Sequence, residues 1–350
     1  MREPAFWWRS PSWMSSALAP AGLIYGLITG RRMQLAGHRA ALPVICVGNY
    51  SLGGAGKTPA VIALVKLLQS AGEMPVVLSR GYGGALAGPV QVDPAEHVAA
   101  DVGDEPLLLA RAAPVVVSRD RIAGAEAARR AGATVIVMDD GFQNPSLHKD
   151  LCVVVIDGDR GVGNGQVFPA GPMRAPLKTQ IERTDVLLIS GEGSAAADIA
   201  ARVAGQGGLV LRSRIVADPQ TVAALRGERV FAFAGIGNPQ RFFATLAASG
   251  IAVAATRAFP DHHPFTRAET EALLDQASRE GLKLVTTEKD LVRLPGLNAV
   301  DADMIRALPI ALAFEEDERL RDVIAARLKK ARETISAVVP ANAGTHTPCR

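Results

Sequence analysis

The sequence predicts an α/β protein with a mostly parallel sheet and helices on both faces, and three observations predict it. Short, fully apolar runs alternate with segments of helical apolar spacing. One of the strand-to-helix junctions, after Pro43–Val47, is glycine-rich and ends in Lys57-Thr58. A second strand–helix series then begins beyond the Gly-rich stretch Gly205–Gly208, which predicts a second, smaller α/β domain.

In chain order, Pro43–Val47 is a short apolar strand and Pro59–Ser70 has helical spacing. Met74–Ser79 is strand-like, Asp104–Ala112 helical, Pro114–Val117 extended and Ile122–Ala131 helical. Thr134–Met138, Leu151–Ile156 and Val186–Ile189 are further apolar strands. A polar extended piece, Leu209–Val216, follows the glycines, and 207–227 is expected to be a hinge. Beyond it come Arg229–Ala234, a helix through Phe242–Ala248, Ile251–Thr256, a helix through Arg267–Arg279 and Leu282–Thr286. Ile310–Phe314 and a helix near Leu320–Arg332 close the pattern, and residues 336–350 have the composition of a disordered tail.

The first 33 residues differ from the rest. Trp7, Trp8 and Trp13 are all the tryptophans of the chain, and they precede an apolar stretch, Ala17–Ile28, that closes at Arg31 and Arg32. A spanning helix needs about 20 apolar residues; this run is shorter and holds Pro20, Gly22 and Gly26. Tryptophan favours the membrane interface and arginine favours anionic headgroups. The segment 1–33 is therefore expected to be a membrane-associated helix lying in one leaflet. A helix packed on the domain would use similar residues, and so would a signal peptide, although no cleavage site follows cleanly.

The chain has 350 residues, 48% hydrophobic and 21% charged, enough for a packed core and against wholesale disorder. The net charge of +3 is too mild to indicate a nucleic-acid partner. Cys46, Cys152 and Cys349 lie far apart with no CxxC pair, so neither a zinc site nor a redox motif is suggested.

The glycine-rich junction reads Ser51-Leu52-Gly53-Gly54-Ala55-Gly56-Lys57-Thr58. It matches the phosphate-loop pattern G-x-x-x-x-G-K-[ST] except that Ser51 replaces the first glycine. Glycines there let backbone N–H groups converge on phosphate oxygens, and the helix N-terminus adds favourable partial charge. Lys57 is placed to reach the β- and γ-phosphates and Thr58 to ligate Mg²⁺. Thr134–Met138 ends in Asp139-Asp140, where a magnesium-holding acid of a P-loop protein sits, and alternation along a strand lets only one of the two meet the metal. These features predict a P-loop NTPase-like fold that uses ATP and Mg²⁺.

Phosphoryl transfer to an alcohol needs a base near the hydroxyl. Asp104, in Asp101-Val102-Gly103-Asp104-Glu105-Pro106, is either that base or a helix N-cap. A second candidate segment is Phe259-Pro260-Asp261-His262-His263-Pro264. Arg80, Arg121 and Asn49 end or follow strands at the same edge and are candidate substrate contacts, although exposed turns use the same residues. Gly161–Gly171, with Pro169 and Pro172, is a long loop ending at Arg174, of the composition of a substrate lid or a plain connection. Thr287-Glu288-Lys289-Asp290 is similar to a guanine-reading N-K-x-D loop but has the wrong spacing.

Together these segments, in this order, resemble the tetraacyldisaccharide 4'-kinase family of Gram-negative bacteria over about residues 4–330. The likeness rests on the early Trp with its apolar stretch, Gly48-Asn49 running into the Gly53–Pro59 loop, Ser79-Arg80-Gly81-Tyr82-Gly83 and Gly103-Asp104-Glu105-Pro106. Asp139-Asp140-Gly141-Phe142-Gln143, Pro169-Ala170-Gly171-Pro172, Asp261-His262 and Thr287–Asp290 complete it. The resemblance implies a membrane-surface lipid kinase at the cytoplasmic face of the bacterial inner membrane, peripheral or monotopic. It implies transfer of the γ-phosphate of ATP to the 4'-hydroxyl of a tetraacyldisaccharide 1-phosphate, giving lipid IVA in lipid A biosynthesis. It makes Asp104 the catalytic base and His262 its partner. The implied organisation is a membrane-associated segment at 1–33, a P-loop kinase domain at 34–206, the hinge at 207–227 and the second domain at 228–335. Two positions depart from the family: Asn144 stands where His is usual, and Ala175 where Glu is usual. Rival readings are a P-loop kinase of a soluble alcohol or nucleoside, and a nucleotide-dependent switch or metallochaperone that transfers nothing.

Overall fold

The computed structural model describes residues 3–53, 56–294 and 304–338. The first lobe begins with eight strands: β1 (Val44–Asn49), β2 (Pro75–Ser79), β3 (Val90–Gln91), β4 (Val115–Val117), β5 (Val135–Asp139), β6 (Leu151–Asp157), β7 (Val186–Ser190) and β8 (Leu209–Ala217). Its helices are α1 (Trp13–Gln34), α2 (Lys57–Ser70), α3 (Ala99–Val102), α4 (Asp104–Leu109), α5 (Arg121–Arg130), α6 (Leu177–Ile181) and α7 (Ala197–Gly205). After α8 (Pro219–Ala224) the chain builds a second lobe from β9 (Arg229–Ala234), α9 (Pro239–Ala248), β10 (Ala252–Ala258), α10 (Arg267–Glu280), β11 (Lys283–Thr287), α11 (Glu288–Leu291) and β12 (Ile305–Leu308). It then returns to the first lobe as β13 (Ile310–Phe314) and α12 (Asp317–Val338).

Among the described residues the larger sheet has the order β13-β8-β7-β6-β1-β5-β2-β4-β3 and the smaller one β10-β9-β11-β12. The smaller sheet is parallel throughout. In the larger one only β3 and β13, at the two edges, run antiparallel to their neighbours. Central strands are buried along their whole length, which is why they read as unbroken apolar runs. The pleat sends Ile45 and Val47 to one face, where Val61, Leu64 and Leu68 of α2 pack with Leu320, Ile324 and Leu328 of α12. It sends Val44 and Cys46 to the other, against Ala125 and Ala128 of α5, Ile199 and Val203 of α7, and Met33 of α1. The parallel strands therefore end together at one edge, and β1 lies between β5 and β6, where the strand order reverses. Ligands of open α/β sheets bind in the crevice at such a point.

The expected hinge at 207–227 is corrected by this topology. Residues 209–217 form β8, parallel to β7 and antiparallel to β13, so they belong to the first sheet. Arg212 and Arg214 on its exposed side made the strand look like a linker. Its second partner, β13, comes only after the whole of the second lobe, a pairing that no local pattern reveals. The boundary expected at 335 moves likewise, because β13 and α12 pack on the first lobe. The expected tail lies outside the described residues from 339 onward.

The N-terminal segment is a 22-residue helix, α1, opened by a capping box between Ser12 and Ser15. Gly22, Gly26 and Gly30 lie four apart on one buried stripe. A Cβ on Gly22 would sit 2.8 Å from the Val167 carbonyl, and Pro176 lies against Gly26 and Gly30. The helix thus packs closely on the Gly/Pro loop. Its outer face leaves Leu23 67% and Ile24 62% exposed, together with Trp13, Leu27 and Ile28. No described helix is long and apolar enough to cross a membrane.

Candidate active site

The turn from β1 into α2 carries the phosphate-loop residues. Gly53 and Gly56 have φ of 104° and 88°, left-handed conformations that a side chain would strain. Gly54 and Ala55 lie outside the described residues. The loop is braced from three sides. The Asn49 side-chain amide donates to the Gly53 carbonyl at 3.2 Å. The Leu52 N–H donates to the Pro172 carbonyl at 2.8 Å. Arg174 Nε donates to the Ser51 carbonyl at 3.1 Å. Lys57 opens α2 with its Nζ 3.7 Å from Asp140 Oδ1, and Thr58 is buried behind it.

Two expected substrate contacts are corrected here. Asn49 is fully buried and holds the loop. Arg121 is buried too, because Asp120 caps α5 by accepting from the Ile122 and Ala123 N–H groups, and the next side chain turns inward. Its guanidinium donates to the carbonyls of Leu78 and Asp139, tying the ends of β2 and β5. Arg80, by contrast, is exposed at the end of β2.

Asp139 and Asp140 point apart. Asp139 ends β5 buried, with its Oδ2 accepting from Ser79 Oγ at 3.3 Å. Burial, with help from the charges of Glu105 and Asp140, pushes its carboxyl up to about 7. Asp140 sits at φ 48° and accepts from Arg174 Nη1 at 2.6 Å. Burial opposes its ionisation, but Lys57 and Arg174 bring it down to about 2. One acid is thus already paired with two cations, while the other makes no salt bridge among the described residues. Among the described residues no group of three or more His, Cys, Asp or Glu could enclose a metal. A metal here would need one or two protein oxygens completed by phosphate and water, the habit of Mg²⁺.

The segment before α4 passes under Tyr82, where Gly103 has φ 90° and a Cβ would lie 2.5 Å from the Tyr82 carbonyl. Gly103 occupies the cap position, so Asp104 is the first helical residue and not the N-cap. Its carboxylate faces the second lobe. Oδ2 accepts from Arg293 Nε at 2.8 Å and from Arg293 Nη2, and His262 Nδ1 lies 3.3 Å from the same oxygen. Burial would raise this carboxyl, yet the hydrogen bond from His262 and the Arg293 guanidinium hold it well below the usual carboxylate range. The same hydrogen bond raises His262 above its ordinary value. Glu105 accepts at Oε1 from Thr58 Oγ1 at 3.3 Å and from Lys289 Nζ at 2.5 Å. Thr58 at the start of α2 is therefore in contact with the residue adjoining Asp104.

Sequence reasoning missed Arg293, gave Lys289 no role toward Glu105, and left Arg174 as a loop end. The sequence likens Thr287–Asp290 to a base-reading loop and to a segment of the family. Instead Asp290 is buried and accepts from the Gly235 N–H at 3.1 Å and from Thr287 Oγ1 at 2.7 Å, so its carboxylate serves the fold. Of the two family departures, Asn144 closes a turn by accepting from the Ser146 N–H at 2.8 Å. Ala175 is fully buried.

The family model described as Tetraacyldisaccharide-1-P 4'-kinase matches residues 14–329. A protein of Rhodopseudomonas palustris (strain HaA2) named tetraacyldisaccharide 4'-kinase is 59% identical over 332 residues, covering 95% of this chain and 98% of that one. One of the same name from Nitrobacter winogradskyi is 58% identical over 334 residues, with 95% and 99% covered. The crystal structure of LpxK from Aquifex aeolicus, described as an apo form in complex with ATP, superposes with a TM-score of 0.68 at 28% identity, covering 90% of this chain and 99% of that one. The braced phosphate loop, the acidic pair beside it and the full-length likeness agree, and the chain belongs to the tetraacyldisaccharide 4'-kinase family.

Proposed function

We propose that this protein transfers the γ-phosphoryl group of ATP to the 4'-hydroxyl of a tetraacyldisaccharide 1-phosphate, giving lipid IVA, at the cytoplasmic face of the inner membrane. The observation that carries the reading is the contact of Thr58 Oγ1 with Glu105 at 3.3 Å, which joins the phosphate loop to the segment bearing Asp104. Lys57 and the loop amides from Ser51 to Thr58 hold the triphosphate. Thr58 Oγ1 and Asp139 would hold Mg²⁺, which would supply charge neutralisation for the triphosphate; Asp139 suits it better than Asp140, which Lys57 and Arg174 already occupy. Asp104 accepts the proton of the sugar hydroxyl, with His262 hydrogen-bonded to its far oxygen. Arg80, exposed at the same edge, is the remaining candidate for the acceptor's own phosphate.

Membrane association is supported by the exposed face of α1 and by an apolar groove of about 270 Å³ between α1 and the Gly/Pro loop, lined by Gly22, Leu23, Leu27, Val167 and Ala170. Extracting acyl chains from a bilayer costs about 0.8 kcal/mol per CH₂, so an enzyme that works with the chains still buried avoids that cost. A kinase of a soluble alcohol needs neither feature. The test is incubation with γ-labelled ATP and tetraacyldisaccharide 1-phosphate in mixed micelles. Label is expected in the lipid fraction; label only in inorganic phosphate would refute acceptor phosphorylation.

A further inference from the structure

We propose that Arg293, on the second lobe, is a positioning residue for the phosphoryl transfer: it grips one oxygen of Asp104 so that the other is presented to the acceptor hydroxyl. The proposal rests on the function proposed above and names a residue which that mechanism does not use.

The geometry starts from the uneven use of the Asp104 carboxylate. All of its hydrogen bonds and ion pairs with described residues, from Arg293 Nε, Arg293 Nη2 and His262 Nδ1, fall on Oδ2. Oδ1 takes none of them. A carboxylate anchored through one oxygen by a guanidinium has its rotation fixed, which is what a base needs if its free oxygen is to meet a hydroxyl in a single pose.

Arg293 is itself over-determined. Its Nη1 donates to the Gly235 carbonyl at 2.9 Å and to Asp290 Oδ1 at 3.0 Å. Asp290 is in turn fixed by the Gly235 N–H and Thr287. The guanidinium is thus held by the ends of β9 and β11, and it reaches across to α4 of the first lobe. The Arg293 and Asp104 side chains are each only 7% exposed, so the pair is little screened by solvent. One turn earlier, Lys289 makes the parallel contact with Glu105. The charged groups around Asp104 are therefore His262 and Arg293 in contact, Glu105 beside it, and Lys289, Asp290 and Asp261 one step beyond.

A role confined to joining the lobes would lower the melting temperature and shift the Asp104 titration, since any ion pair shifts its partner's pKa, but it would leave kcat unchanged. A positioning role lowers kcat as well once the anchor is removed; in either case an adjacent arginine lowers an aspartate by about 1–3 pKa units. The test uses the full-length protein labelled with ¹³C at aspartate carboxyls, with the Asp104 signal assigned by its absence in Asp104→Asn. In Arg293→Met the Asp104 titration is expected to move up by about 1–3 units. At neutral pH kcat should fall about 10²-fold, while the affinity for a non-hydrolysable ATP analogue stays within about threefold. Arg293→Lys should restore most of the titration shift and part of kcat. If Arg293→Met does not fold, Arg293→Gln carries the same test.

An unmoved titration, or an unmoved kcat, in the charge-removing variant would overturn the proposal. So would a lysine variant no better than methionine. The titration needs no substrate, so a wild-type protein that failed to phosphorylate the lipid would sink the proposed function and leave this result readable on its own.

Discussion

Replacing Asp104 by Asn should separate chemistry from binding. The substitution keeps the shape and removes the negative charge, so the loop that holds the nucleotide is untouched and ATP affinity should be unchanged. Transfer should fall by about 10²–10⁴-fold, the range for loss of a positioned general base. The stability cost follows from what Arg293 loses. Leaving a buried charge with no partner costs about 3–5 kcal/mol, but Arg293 keeps Asp290 at 3.0 Å. The expected destabilisation is therefore about 2 kcal/mol. Adding Arg293→Met to Asp104→Asn should cost less than the sum of the two single changes, because the second removes the charge the first left stranded. Chemical denaturation read alongside transfer of label from γ-labelled ATP to lipid measures both effects. Transfer within tenfold of wild type would reject Asp104 as the base. Strict additivity of the two substitutions would reject the ion pair as drawn.

Because the folded Asp104 carboxyl lies below its ordinary value, its stabilisation is full above the unfolded value of about 3.9 and is lost as pH falls toward the folded one. The melting temperature of wild type should therefore drop more steeply than that of Asp104→Asn between about pH 5 and pH 3, as calorimetry would show. Lys57→Ala should abolish transfer and weaken ATP binding by at least tenfold in isothermal titration, since it removes the one cation carried by the phosphate loop itself. Gly22→Leu should cost about 1–3 kcal/mol in thermal unfolding, because a Cβ there already falls 2.8 Å from the Val167 carbonyl. Leu23→Glu with Leu27→Glu should leave melting unchanged but reduce co-sedimentation with anionic lipid vesicles, since both side chains face outward.

How far the site was legible depended on whether its geometry was local. The phosphate loop was readable because strand, glycines, Lys57 and Thr58 are consecutive, and the acids Asp139 and Asp140 because they end an apolar strand. Arg121 was misread for a local reason that sequence hides: the cap made by Asp120 turns the next side chain into the sheet. Arg293 was invisible because its partner lies 189 residues away in another lobe, and an arginine after a short helix is an ordinary surface residue until the lobes meet. The polar strand β8 was taken for a hinge because its second neighbour, β13, follows the entire second lobe. In α1 the apolar composition shows in the sequence, but the glycine stripe that seats the helix on the Gly/Pro loop has meaning only once the loop is in place.

The central claim is that one edge of the sheet holds a triphosphate and, beside it, a carboxylate free to meet an alcohol. A crystal structure with Mg²⁺, a non-hydrolysable ATP analogue and the disaccharide acceptor tests it most directly. The 4'-hydroxyl should lie between the γ-phosphorus and Asp104 Oδ1, about 3 Å from each. A γ-phosphate directed away from α4, or a hydroxyl held by another carboxylate, would contradict it.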